Sequence, residues 1–161
     1  MIVVVADTSP LNYLIQINCD HVLPVLYERV HVPAAVVEEL GHPRTVAAVR
    51  EWLARTPSWL VVEQVEEIGD PRLARLDAGE RQAIQLAKRA HADLVLMDEK
   101  LGVRIAREQG LAVTGTLGVL VQAARRGLID IEAALTNLQL TDFRCSDRVI
   151  EDARRRAKSA T

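Results

Sequence analysis

The chain is poor in cysteine, poor in aromatic side chains and close to charge balance, and each shortage removes a class of function. Its two cysteines, Cys19 and Cys145, make no CxxC pair and show no metal-type spacing. That argues against a disulfide scaffold or zinc module and for a reducing, cytoplasmic compartment. Trp52 and Trp59 do not interleave with a basic cluster as a base-stacking platform would, so both are read as core or edge packing. With 20 Lys+Arg against 22 Asp+Glu, the formal net charge of −2 excludes a protein that coats nucleic acid by bulk electrostatics, though not one with local basic contacts. The opening MIVVVAD carries no basic leader, and Asp7 interrupts its apolar run. The uncharged stretch Gly110–Ala124 falls short of the ~20 residues that span a bilayer, so no membrane partner is expected. GxxxxGK[ST], GxGxxG after the first strand, GxSxG and HExxH are all missing, and the four histidines (His21, His31, His42, His91) are scattered.

What is present is an alternation of short β-rich runs and longer helical patterns over 161 residues, 49% of them hydrophobic. Ile2–Ala6 is a continuous β-branched run, as in a strand buried on both faces. Further strands are read at Val30–Val32, Leu60–Val65, Leu94–Met97 and Ala112–Thr114. Between them lie helical spacings after Pro10, at Val22–Leu26, from Pro33 to Gly41, over Thr45–Arg55, over Arg81–His91 and from Lys100 to Gln109. Thr116 is placed to cap a helix over Leu117–Arg126, and two more patterns follow at Ile131–Leu138 and Ser146–Lys158. The expectation is an α/β protein, a three-layer α/β/α sandwich around a parallel sheet of about five strands. One domain is expected over 1–140, with 141–161 a helical extension of it.

Ligands in such sheets bind beyond the carboxyl ends of the strands, near the point where strand order reverses. Asp7 follows the first strand and Asp98 the fourth. Glu38 or Glu39 lies about a turn into the helix opened by Pro33, and Asp77 and Glu80 flank Gly79 at a helix start with (i, i+3) spacing. Each acid alone has an ordinary use: a turn residue, a solvated helix position or, for Asp77 and Glu80, a capping box. Gathered at ~5 Å spacing, each pair would repel by roughly 3 kcal/mol at an effective dielectric near 20. Divalent cations relieve that repulsion, and all-oxygen ligation selects Mg²⁺ or Mn²⁺ over zinc or copper. A cation held this way can hydrolyse phosphodiesters, by lowering the pKa of the attacking water and neutralising charge on the phosphorane.

The segments VVVADTSPLNYL, VPAAVVEEL, LDAGERQAIQLA, ADLVLMDEKLGVRIARE and LAVTGTLGVLVQAARRGLI occur in this order over roughly residues 1–130. In them the chain resembles PIN-domain proteins, specifically the VapC-like toxin ribonucleases with DTSPL and LDxGE elements. The resemblance implies a PIN-like fold and a Mg²⁺- or Mn²⁺-dependent endoribonuclease that leaves 5′-phosphate and 3′-hydroxyl ends. It also implies a homodimer and a cognate antitoxin protein that blocks the site, commonly with a basic side chain inserted among the acids. It assigns Asp7, Glu39 and Asp98 as catalytic metal ligands. For the third position, often an Asp in the family, the chain offers Glu80, favoured, with Asp77 in support. Thr8 or Ser9 would orient the ligands, and Thr116 falls where the family often keeps a hydroxyl.

Lys100 and Arg104, with Arg107, lie just past Asp98 and are candidates to hold substrate phosphates; the ordinary alternative is a solvated helix face paired with Glu108. Arg154–Arg156 are read as a mobile basic tail, and the apolar helices around Leu11–Ile15 and Val22–Leu26 as candidate antitoxin surfaces. Two other readings compete. A receiver-type phosphoacceptor needs an acidic pair after its first strand and a Lys after its last, and Thr8 and Ser9 follow Asp7 here. A catalytically inactive PIN-like interaction module has no need of all four acids.

Overall fold

Apolar β-branched segments too short to be helices pair side by side, and the helical patterns between them cover both faces of the resulting sheet. The computed structural model describes residues 2–159; Met1, Ala160 and Thr161, at the two ends of the expected domain and its extension, lie outside the described residues. Five strands, β1 (Val4–Ala6), β2 (Val30–Pro33), β3 (Leu60–Glu63), β4 (Leu94–Leu96) and β5 (Val113–Thr114), form one all-parallel sheet in the order β3-β2-β1-β4-β5. The helices among the described residues are α1 (Thr8–Gln16), α2 (Val22–Tyr27), α3 (Ala34–Leu40), α4 (Ala47–Ala54), α5 (Ala78–Arg89), α6 (Lys100–Glu108), α7 (Thr116–Arg125), α8 (Ile131–Gln139) and α9 (Asp147–Lys158). The expected three-layer architecture is the one observed.

Side-chain alternation along the central strands divides the interior into two cores. Val4, Ala6 and Leu96 face a larger core shared with α1, α2, α7, α8 and α9, where Leu14, Leu23, Leu120, Leu135 and Ile150 are buried. Val5, Val95 and Met97 face the opposite core, built with Ile84 and Leu86 of α5 and Ile105 of α6. In the register Val4↔Leu94, Val5↔Val95 and Ala6↔Leu96, β1 and β4 end together, so the chain leaves both strands at the same edge of the sheet. Strand order reverses between these two strands, which makes that edge the natural ligand-binding crevice.

Some local readings hold and others are corrected. The α5 helix begins at Ala78 and ends at Arg89, because Asp77 caps it and His91 turns the chain out with φ 51°. Gly110 (φ 84°) and Gly127 (φ 71°) end α6 and α7 in the left-handed conformation that glycine adopts without strain. Thr116 is the first residue of α7, and its hydroxyl does not cap that helix. Leu11, Leu14 and Ile15 are buried in the core, as are Val22 and Leu23, so α1 offers no exposed apolar face and α2 leaves only Val25 half exposed. Arg154–Arg156 belong to α9, which packs on α7 and α8, and Arg154 pairs with Glu132 at 2.7 Å. Trp52 and Trp59 lie together against the core, ring centroids 5.9 Å apart, in keeping with packing. Among the described residues, no helix is long and apolar enough to cross a membrane.

Candidate active site

The end of β1 delivers Asp7 in extended conformation, and its backbone N–H donates to the Leu96 carbonyl at 2.9 Å, locking the residue against β4. Its side chain stands at the N-cap position of α1 but makes no capping bond. The carboxylate is 5% exposed, and Oδ1 is buried with no hydrogen-bond partner. Burial pushes its pKa up to about 8, and the negative charges of Glu80, Asp77 and Glu39 add to the rise against the opposing Thr8 backbone N–H.

The phase of α3 decides between its two glutamates: Glu38 faces solvent, while Glu39 turns towards Asp7. Glu39 Oε2 accepts from the Thr8 hydroxyl, and Oε1 accepts from the Gly79 backbone N–H at 3.1 Å, at the start of α5. Asp77 and Glu80 close the expected capping box: Asp77 Oδ1 accepts from the Glu80 N–H at 2.8 Å, and Glu80 Oε1 from the Asp77 N–H at 3.2 Å. That bond uses one oxygen of Glu80 and leaves Oε2 buried without a partner. Burial, reinforced by the charges of Asp77 and Glu99, pushes Glu80 up to about 7.

Asp98 has its oxygens occupied. Oδ1 accepts from the Thr116 N–H at 2.7 Å, and Oδ2 accepts from the Thr116 hydroxyl at 2.7 Å and the Ser9 hydroxyl at 2.9 Å. Thr8 and Ser9, left open as alternatives by the sequence, therefore divide the work: Thr8 fixes Glu39 and Ser9 fixes Asp98.

Sequence reading missed three glycines that stand against these acids. A Cβ added at Gly79 would lie 2.6 Å from Glu39 Oε1, one at Gly102 would lie 2.8 Å from Glu80 Oε2, and one at Gly115 would lie 2.5 Å from Asp98 Oδ1. The acids thus lie against backbone that only glycine leaves open. Gly102 offered a signal, since an interior helical glycine costs roughly 0.5–1 kcal/mol relative to Ala and calls for a reason.

All of these acids line one cavity of about 860 Å³ at the carboxyl edge of the sheet, together with Glu99. Among the described residues none of the six is ion-paired to a Lys, Arg or His. Nor, among those residues, are any three His, Cys, Asp or Glu side chains drawn close enough to form a ready ligand cluster. The two orphaned oxygens of Asp7 and Glu80 are hard donors, and the pocket has further carboxylates within it, so the residues present suit a hard divalent cation that draws them together.

Of the candidate phosphate-binding cations, Lys100 lines the cavity. Arg104 does not: it stands over an adjacent depression and approaches Glu108 at 3.9 Å, one turn along α6. Arg107, one turn beyond Arg104, reaches the cavity wall. The far wall comes from Tyr13 of α1 and the α8–α9 loop, including Phe143 and Arg144, a contribution with no local sequence signature.

No curated protein and no solved structure matches the chain. A family model described as PIN domain matches residues 3–159, nearly the whole chain and every acid of the cavity. A parallel sheet that presents acids at its switch point agrees with that match, and the chain belongs to the PIN-domain family.

Proposed function

We propose that this PIN-domain protein is a Mg²⁺- or Mn²⁺-dependent endoribonuclease, the toxin component of a type II toxin–antitoxin pair. The observation that carries the nuclease reading is the pair of buried, unpartnered carboxylate oxygens, Asp7 Oδ1 and Glu80 Oε2, in one cavity with no cationic side chain paired to its acids among the described residues. Burying charge unpaired is costly, and such sites persist where they bind or react. The toxin role, the homodimer and an antitoxin that blocks the cavity follow from the DTSPL and LDxGE motifs. The sparse cysteines, which suit a reducing compartment, support a cytoplasmic location.

Asp7, Glu39, Glu80 and Asp98 would hold the cation, with Asp77 in support, and when bound it would supply charge neutralisation at the phosphate and a more acidic attacking water. Thr8 and Ser9 keep Glu39 and Asp98 in fixed rotamers, and Thr116 holds Asp98 from the other side. Lys100 and Arg107 meet the anionic backbone of the RNA. In-line attack by water at the scissile phosphate then leaves 5′-phosphate and 3′-hydroxyl ends.

The test is cleavage of total RNA by the purified protein in Mn²⁺, with Asp7→Asn alongside. The wild type cuts and the variant does not. A wild type inert towards every RNA class, or an Asp7→Asn variant that cuts equally well, overturns the reading. The occupied oxygens of Asp98 and the Asp77–Glu80 capping box favour one rival, an inactive PIN-like interaction module whose acids are structural. For that module, Mn²⁺ neither supports cleavage nor raises Tm.

A further inference from the structure

Besides its acids, Asp142 included, the lining of the cavity carries positive charge that the protein does not use internally. Lys100, Arg107 and Arg144 all line the cavity, all three are exposed, and none makes a side-chain hydrogen bond or ion pair among the described residues. Elsewhere on the described surface some cations pair with carboxylates, as Arg72, Arg81 and Arg154 do, and others, such as Arg29, Arg55 and Arg148, do not, so it is their place on the cavity lining that sets these three apart. The cavity thus presents three unpaired cations as well as its acids.

Arg144 sits on a loop that is held in place. The Tyr13 hydroxyl donates to Asp142 Oδ1 at 2.8 Å, and Tyr13 meets the Phe143 ring edge-on at 5.0 Å between centroids. The Phe143 N–H donates to the Thr141 hydroxyl at 3.2 Å, and Ser146 caps α9 through the Val149 N–H. Anchored before and after, the loop presents Arg144 at the cavity wall without a large ordering cost on binding. Tyr13 lies one turn beyond Ser9 on α1, so the element that fixes the acids also fixes this loop.

We infer that the Asp142–Ser146 loop is a substrate-binding arm, in which Arg144, with Arg107 and Lys100, grips the RNA backbone next to the scissile phosphate while Tyr13 and Phe143 give the adjoining nucleotide an apolar wall. This deepens the ribonuclease reading and rests on it. A guanidinium matches phosphate in two-pronged hydrogen bonds, and the acids repel the same polyanion, so a basic arm is needed to seat the strand across them.

The experiment pairs RNA binding in EDTA, read by anisotropy of a short fluorescent oligoribonucleotide, with steady-state cleavage in Mn²⁺. Arg144→Gln is expected to weaken binding about tenfold and to lower the salt slope by about one. In cleavage it raises KM by a similar factor and leaves kcat within about twofold, while the Mn²⁺-induced Tm rise is unchanged. Arg125→Gln, at the exposed end of α7 outside the cavity, serves as control and leaves binding unaltered. If Arg144→Gln binds and cleaves as the wild type does, or if Arg125→Gln weakens binding equally, the arm is wrong and the nuclease stands. If no RNA is cleaved but binding in EDTA depends on Arg144, the nuclease reading fails and the arm survives.

Discussion

Two acid-rich regions of this small protein are handled in opposite ways. On the outer face of α8 and α9, Glu132 accepts from Arg154 at 2.7 Å and lies 3.1 Å from Lys158, while Glu151 and Asp152 pair with Arg154, Arg155 and Arg156. Those hydrogen bonds hold Glu132 below the usual carboxylate range. At the sheet edge, Asp7 and Glu80 are buried without such partners and are displaced upwards, to about 8 and about 7. The first arrangement pairs charge on a surface, and the second, without a cation, holds protons on buried carboxyls. A net charge of −2 conceals the difference entirely.

Removing one acid from each region should separate them most widely. Glu80→Gln is expected to lower Mn²⁺-dependent cleavage by about 10²-fold or more, as the loss of one electrostatic group at a reacting centre commonly does. Glu132→Gln should leave cleavage within twofold; parallel turnover assays decide, and equal losses would dissolve the contrast.

The pH dependence of stability is next. A carboxyl at about 8 in the folded protein and near 3.8 when unfolded keeps its proton on the folded side between those values. The unfolded chain binds fewer protons there, so the cation-free protein loses stability as pH rises from about 4 through about 8. Asp7→Asn removes that loss, and in EDTA at pH 8 it should be more stable than wild type by about 1–3 kcal/mol, the cost of an unsatisfied buried group. For a chain of this size that is about 2–4 °C in Tm per kcal/mol, measurable by differential scanning calorimetry. An Asp7→Asn protein that melts below wild type at pH 8 in EDTA would show the carboxylate to be satisfied after all.

Glycine substitutions sharpen the geometry. At Gly115 an added methyl must displace Asp98 Oδ1, and at Gly102 it must displace both Met97 Sδ, 2.7 Å away, and Glu80 Oε2. Each change to Ala should reduce cleavage about tenfold and cost roughly 1–3 kcal/mol of stability, the usual range for overpacking. Circular dichroism should remain that of a folded protein. Smallest is Arg154→Ala, which breaks the outer network: cleavage stays unchanged and Tm falls by at most ~2 °C, less at high salt.

Much of this was legible in the chain itself. Apolar runs ending just before Asp7 and just before Asp98 set both acids at strand ends, because a buried parallel strand is apolar until the chain leaves the sheet. Asp-x-x-Glu at 77–80 announced its capping box. The choice between Glu38 and Glu39 needed the rotation of α3 about its axis, which tertiary packing sets. The division of labour between Thr8 and Ser9 depends on partners 31 and 89 residues away, and no local pattern encodes such separations. Arg144 was invisible for the same reason: its loop reaches the cavity only because Tyr13, far back in the sequence, anchors Asp142 and Phe143. Arg104 misled because helical spacing places it near Lys100 without saying which way α6 faces.

The central claim is that the cavity's acids, ion-paired to no cation among the described residues, take up a divalent one. Thermal unfolding at neutral pH across a Mn²⁺ titration tests it most directly. Wild-type Tm should climb with the logarithm of Mn²⁺ concentration, reaching about 2.7 kcal/mol of added stability at a hundredfold excess over Kd, and the Asp7→Asn profile should stay flat over the same range. A wild-type Tm indifferent to Mn²⁺, or an equal rise in Asp7→Asn, contradicts the account.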